Sequence, residues 1–421
     1  MKKIDIKEKY YDLHIIKTDK FKTIRMKVDL RTNAQRETNA YMSLLQSILT
    51  VSTKYKSLKE RNIICADLYD PMWSIRSVDS GNKKCLSLAA TFTNEKYTEN
   101  GMNEKTIKYV LDFLFNPKTV DNHFDKEIFE NEKTNCLEYL KSLKDNPDAY
   151  SNYRLMGNMQ IYDFKPLTIE DYIKQTEEIT EESLYRFYQN LLKNSKMDIF
   201  ISGDIDENQI KEILEKLIKR NSNIETLTSH YIDQKEYNES PKIIKEKTNN
   251  TQSKLAMGLK AVNLTETEKK YTLLLYSWIL GRGTNSLLFD DVREKHSLCY
   301  YIYSNAKPLE GIINIYAGID CDKFEKVHEL IKENMKKIEE GNFSDEKIKS
   351  VKNTYNNSLI NIEDSLISIT ENLESQIFIK SDDLETRKTE IEKITKKDIQ
   401  NVAKKVHIDT IFLLEGGQNG A

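Results

Sequence analysis

Glycine and proline are scarce in this chain, 13 and 6 of its 421 residues. A fibrous or Pro/Gly-rich low-complexity polymer is therefore excluded. Cysteine is present five times, at Cys65, Cys85, Cys136, Cys299 and Cys321. The count is odd and no C-x-x-C pair occurs, so no disulfide framework is indicated and buried thiols are expected. The longest uncharged apolar run, Tyr271 to Gly281, falls short of the roughly 20 residues that cross a bilayer. The opening Met1-Lys2-Lys3-Ile4-Asp5-Ile6 lacks the apolar segment of a signal peptide. No charge dominates either: Lys+Arg 64 against Asp+Glu 67 gives a net charge of −3. A non-specific nucleic-acid binder, which needs a basic footprint, is disfavoured. A soluble protein with a cytoplasmic location is the expectation.

Catalytic signatures are also missing. There is no G-x-x-x-x-G-K-[ST] phosphate loop and no G-x-S-x-G elbow. Of six histidines, the nearest two, His296 and His328, stand 32 residues apart. No helix face carries a His pair at i,i+4, the usual spacing of a helical zinc site. Gly281-Arg282-Gly283-Thr284 follows a helix-like run, not a strand, so no dinucleotide site is read there.

What is present is the composition of a folded protein, 38% hydrophobic and 31% charged, long enough for two to four domains at roughly 100–200 residues each. Its main organisational signal is an internal repeat. Ile179-Thr180-Glu181-Glu182 opens a helical pattern that runs into the apolar strand Met197–Ser202 and stops at Gly203. In the second half Ile394-Thr395-Lys396-Lys397 opens another, runs into Thr410–Leu414 and stops at Gly416-Gly417. Both start on a Thr cap with charged first-turn residues. The pair Phe124–Glu130 and Phe343–Lys349 repeats at a similar offset. An offset near half the chain implies two homologous halves, not a short-period solenoid.

The polar stretch around Pro241 marks the boundary. The expected organisation is a first domain over 1–222, a linker over 223–241 and a second domain over 242–421. Runs such as Ile24–Leu30, Leu86–Phe92, Leu255–Leu259 and Ile312–Ala317 alternate or are continuously apolar. They predict an α+β fold in which each half is a mostly antiparallel sheet with one face covered by helices.

The segment from Ile279 to Tyr301 carries a resemblance. Leu280-Gly281, Ser286-Leu287-Leu288-Phe289, Arg293-Glu294-Lys295 and Leu298-Cys299-Tyr300 are similar to the second-domain signature of the inverted-zinc-motif peptidases, the family of pitrilysin, insulinase and the mitochondrial processing peptidase. Arg282 departs from it, standing where the family has a second Gly. Gln252, Asp145-Asn146-Pro147 and Ile201-Ser202-Gly203-Asp204 fit as well, and the resemblance spans essentially the whole chain. It implies the processing-peptidase-like fold.

Active members of that family carry H-x-x-E-H on a first-domain helix, two ligands and a base, with a Glu ligand on a later helix. With the register set by Thr53, the motif positions here become Ser43, Leu44, Leu45, Gln46 and Ser47, and the distal ligand falls at Tyr139, beside Glu138. Neither Ser replaces an imidazole and Gln46 cannot accept a proton. The resemblance thus implies a non-catalytic subunit with no metal of its own, zinc being expected only in a homologous partner that carries H-x-x-E-H. Arg293 and Tyr300 match the family's second-domain Arg and Tyr. They imply donors for a scissile peptide and its oxyanion in the partner's active site, within a peptide-binding chamber shared by the two subunits. Two alternatives stay open: Arg293 pairs with Asp290 or Asp291 while Tyr300 is core, or the chain is a peptide-binding or scaffold protein without a peptidase role.

Overall fold

The structure, a computed structural model, describes all residues except 52–57, 160, 162–165, 220–226, 228 and 418–421. Thr53 and part of the 223–241 linker therefore lie outside the described residues. In chain order the elements are β1 (Lys2–Lys7), β2 (Asp12–Lys17), β3 (Thr23–Asn33), α1 (Asn39–Val51), α2 (Leu58–Asp67), β4 (Met72–Ser80), β5 (Lys83–Thr93), α3 (Met102–Phe115), β6 (Thr119–Val120), β7 (His123–Phe124), α4 (Lys126–Ser142), α5 (Pro147–Asn158), α6 (Ile169–Glu178), α7 (Glu181–Asn194), β8 (Lys196–Gly203) and α8 (Glu207–Leu217). The second half continues with β9 (Lys242–Lys247), β10 (Ser253–Ala261), α9 (Leu273–Gly281), β11 (Cys299–Lys307), β12 (Ile312–Ile319), α10 (Phe324–Glu340), α11 (Asp345–Ile362), α12 (Leu366–Phe378), α13 (Leu384–Lys393), α14 (Lys396–Ala403) and β13 (Val406–Glu415).

Two compact units form, neither continuous in sequence. Residues 1–139, 172–229 and 361–380 make unit 1, and residues 140–171, 230–360 and 381–421 make unit 2. The sheet of unit 1 has the order β1-β2-β8-β3-β5-β4, that of unit 2 the order β11-β12-β10-β13-β9. Five strands of each pair in the same order, and β1 is an addition at the edge of unit 1. In unit 1, β3 runs antiparallel to β5 and β8, and β8 parallel to β2. In unit 2, β10 runs antiparallel to β12 and β13, and β13 parallel to β9. The repeated helix–strand pairs occupy equivalent places, α7 leading into β8 and α14 into β13. Both helices begin with a capping box, Thr180 with Ser183 and Thr395 with Asp398, each satisfying two otherwise orphaned donors.

The compact units depart from a single cut at 223–241 because two helices cross it. The first-half helix α5 packs on β10 and β13 in unit 2, and the second-half helix α12 packs on β8 and β3 in unit 1. Polar anchors hold α5: Tyr150 Oη donates to Glu246 (2.6 Å) and Tyr316 Oη to Asn152 (2.5 Å). Just past its end, the Met159 thioether lies where a side chain at Gly258 would stand.

The core of unit 1 follows the alternation of β3, whose Ile24, Met26, Val28 and Leu30 are fully buried beneath the α1, α3 and α7 side. The opposite face does not stay in water as the one-sided reading expected. Its charged Asp29, Arg31 and Asp198 are 0–1% exposed, because α12 covers them. Alternating charges read as a solvated face, and only the docked helix turns them into an interior. The cysteines differ too: Cys85 is buried, while Cys65, Cys136, Cys299 and Cys321 are partly exposed.

Candidate functional site

The helix α1 forms because Ala40, Leu44, Leu45, Ile48 and Leu49 give it an apolar face for the core. Ser43, Gln46 and Ser47 stand on its half-buried side, so the structure brings these three motif positions together. Each is engaged in structure. Gln46 Oε1 accepts from the Ser77 backbone N–H of β4 (2.6 Å), and Ser47 Oγ donates to the Ser43 carbonyl (3.4 Å). Ser43 hydrogen-bonds Tyr172, whose phenol burial holds above its ordinary range, with Cys136 among the groups near it.

Tyr139 is not part of this group, being 55% exposed on α4. Phe129 and Leu140 are the buried side chains of α4, and the half-buried Cys136, bonded to Thr176, and Glu132 both have pKa values raised by burial. A hydroxyl pair, an amide and a protonated thiol offer no imidazole or carboxylate, and Glu132 adds a single carboxyl, short of the three protein ligands that zinc takes in a catalytic site. The side chains present do not fit the ion.

One other group in unit 1 has metal-binding residue types, Asp12, His14 and Asp198 on β2 and β8. It is a closed charge network. His14 contacts Asp5 through Nδ1 (2.6 Å) and Asp198 through Nε2 (3.4 Å). Asp198 also accepts from Arg31 Nη2 (2.8 Å) and Nε (3.1 Å), and Asp12 pairs with Lys196 (2.9 Å). Cations of the chain itself already supply the positive charge.

In unit 2 the segment that carries Arg293 is a π-helical turn, Phe289–Lys295, and residue 297 follows at φ +50. Beyond it the pairing of β11 with β12 slips between Cys299 and Tyr301, which leaves Tyr300 as the extra residue of a bulge. π-turns, positive-φ residues other than glycine, and bulges each cost backbone energy and recur where a side chain must be re-aimed. Here all three fall within eight residues of Arg293. Its guanidinium lies 4.8 Å from the Phe289 ring centre. Burial pushes the neighbouring Cys299 thiol up to about 11, and Arg293 pulls the other way, which places the cation beside the start of β11. Arg293 is exposed and Tyr300 is 65% exposed.

The two acids beside Arg293 are bound elsewhere. Asp290 pairs with Lys347 (2.6 Å), and Asp291 accepts from Lys337 (2.7 Å) and Asn334 (3.0 Å) of α10. Asp291, Asn334 and Lys337 seat the turn, a role that no spacing in the sequence announces.

The Leu280-Gly281 pair has a physical reason. A Cβ on Gly281 would stand 2.7 Å from the Ser304 backbone nitrogen of β11, so only glycine lets the end of α9 lie against the strand. Arg282 departs from the family pattern at no backbone cost. It is extended, φ −102 and ψ 115, and stacks over Trp278 at 4.1 Å. Gly281→Ala is therefore expected to destabilise unit 2 by about 1–3 kcal/mol through overpacking, with Arg282→Ala well below that. Urea midpoints of the two variants give the comparison, and equal effects would contradict it.

Fold and site together define a protein of two similar α+β units in which Ser43, Gln46 and Ser47 of α1 supply no zinc ligand set. Residues 178–355 match the family model described as "Peptidase M16 inactive domain". Among curated relatives, the Bacillus subtilis protein named "Probable inactive metalloprotease YmfF" is 26% identical over 426 residues, covering 99% of each chain. A conserved protein from Enterococcus faecalis shares the fold over 100% of both chains, with a TM-score of 0.89 and 24% identity. A Pseudomonas fluorescens structure titled as a peptidase M16 inactive domain covers 99% of this chain and 98% of its own, with a TM-score of 0.79 and 14% identity. The family-model match over residues 178–355 and the full-length likeness to a relative named as probably inactive both support an M16-like, non-catalytic chain. Among the described residues, no helix is long and apolar enough to cross a membrane.

Proposed function

We propose that this chain is the non-catalytic subunit of a heterodimeric zinc peptidase, forming half of a peptide-holding chamber and lending Arg293 and Tyr300 to the active site of a homologous partner that carries H-x-x-E-H. The observation that carries the reading is the pairing of a disarmed α1 with an exposed Arg293 and Tyr300, both on costly backbone and neither committed to the core. A guanidinium and a phenol suit a developing oxyanion, yet without a metal-bound water neither starts a hydrolysis.

The test is reconstitution with such a homologue from the same genome. A complex on size exclusion that cleaves peptides, when neither chain alone does, supports the reading. Equal cleavage by the partner alone contradicts it and favours a peptide-binding scaffold. Metal analysis is a separate check. The isolated chain should hold well under one zinc, because Ser43, Gln46 and Ser47 supply no ligand set, whereas about one tightly bound zinc per chain would overturn the assignment.

A further inference from the structure

The helix α12 docks on a face of unit 1 that is polar around a small apolar centre. Ile369, Leu373 and Phe378 pack on Ile16 and Phe200. Beside them Glu374 pairs with Lys27 of β3, whose ammonium is also 3.4 Å from Asp29 Oδ2. All three are withdrawn from water, with side-chain exposures of 19%, 13% and 0% for Glu374, Lys27 and Asp29. One ammonium thus serves two buried carboxylates.

The other titratable or charged groups around Glu374 are Arg25 on β3, Cys85 on β5 and Glu371 on α12 itself. Arg25 is drawn to both acids of the helix, and the Cys85 thiol donates to Asp29 Oδ1 (3.4 Å). Satisfaction is incomplete: Asp29 Oδ2, Arg25 Nε and Gln376 Nε2 are buried without a hydrogen bond inside the protein. Such atoms make undocking less costly than it is for a fully paired helix.

We infer that α12 is a proton-sensitive latch, seated most firmly when Asp29 and Glu374 hold one proton between them and loosened when that proton leaves.

Like charges this close do not both ionise readily. Burial, then repulsion from Asp29, brings the Glu374 carboxyl to about 7 against the pull of Lys27, and Asp29 is raised for the same first reason. On an undocked helix Glu374 returns to the ordinary carboxylate value of about 4.3. The docked state therefore binds the proton more tightly. Its contribution is complete below that ordinary value and is lost as the pH rises through about 7. The latch closes in mild acid and slackens above neutrality. Residues 361–380 are the segment that the second half of the chain supplies to unit 1, so loosening α12 would uncover the buried Asp29, Arg31 and Asp198.

Hydrogen exchange read by mass spectrometry on the full chain tests this, with exchange times corrected for the intrinsic pH dependence of the amides. Protection across Leu366–Phe378 should fall roughly tenfold between about pH 5.5 and about pH 8, while α7 in the same unit changes little. In Glu374→Gln most of that fall should vanish, with protection staying near the acidic wild-type level. Lys27→Met, which leaves the two carboxylates without their cation, should steepen the fall. Constant α12 protection in the wild type, or an undiminished fall in Glu374→Gln, overturns the latch. The wild-type profile decides the matter even if a variant does not fold.

Discussion

Replacing Arg293 by Ala, or Tyr300 by Phe, should lower peptide turnover by the reconstituted heterodimer on the order of 10²–10³, the usual loss for one oxyanion donor. Formation of the complex should be unchanged. The structure makes the result readable. Both side chains are exposed, and the salt bridges of Asp290 and Asp291 go to Lys347 and Lys337. Removing Arg293 therefore strands no buried acid, and the Tyr300 hydroxyl leaves no cavity. The folding cost should stay within about 0.5 kcal/mol, as for most surface changes. A fall in kcat with an unchanged melting curve then reports chemistry alone. Asp291→Ala would not separate the two effects, since that carboxylate holds the π-turn on α10. Wild-type turnover in both variants would exclude the shared site and leave the scaffold reading.

Asp198→Ala should cost the most stability of any single change on the β8 face, about 3–5 kcal/mol. Arg31 and Asp198 have side-chain exposures of 1% each. Deleting the carboxylate leaves a guanidinium in the interior beside the Leu227 carbonyl and the Phe378 ring, 3.6 Å away, among the described residues. A buried ion pair need not be worth much against an apolar pair, but half of one is expensive. The double change Arg31→Met with Asp198→Leu should accordingly recover most of the loss. The pH dependence has a definite sign at each end. Burial opposes ionisation of Asp198, but the bond to His14 and the Arg31 charge outweigh it, so its pKa is lowered. That stabilisation is present above the ordinary carboxylate value and disappears as pH falls through the lowered one. Burial also opposes protonation of His14, yet its bonds to Asp198 and Asp5 raise its pKa. Its share is present below the ordinary imidazole value and lost as pH rises through the raised one. Denaturation of Asp198→Ala within about 1 kcal/mol of wild type would show that the network contributes nothing.

Local signals were legible in the sequence and long-range ones were not. The Thr180 and Thr395 caps, each followed by an apolar strand, revealed the duplication because capping and alternation are written within a dozen residues. Ser43, Gln46 and Ser47 could be read together for the same reason, since they share one helix. Tyr139 is placed by counting along α4, and counting does not reveal that its ring is 55% exposed while Cys136, three residues earlier on the same helix face, is half-buried. The interior at Asp29, Arg31 and Asp198 left no trace in the pattern. Each of these charges alternates with apolar residues as on any half-exposed strand, and the helix that buries them lies far along the chain. The π-turn at Phe289–Lys295 was equally silent, because its composition is that of an ordinary helix.

The exchange of α5 and α12 acquires a further meaning during synthesis. The ribosome delivers every strand of the first sheet by residue 203, yet the helix that lids its charged side emerges only at 366–378. In the interval the open side presents Lys27, Asp29, Arg31 and Asp198, which water solvates well, around the small apolar patch of Ile16 and Phe200, and so offers other nascent chains less apolar surface to capture. The helix α5 waits longer still, because β13, one of the two strands it rests on, is the last element made. Neither unit can close until nearly the whole polypeptide exists. A gene divided at the linker would yield two halves, each of which must receive a helix from the other before it can fold.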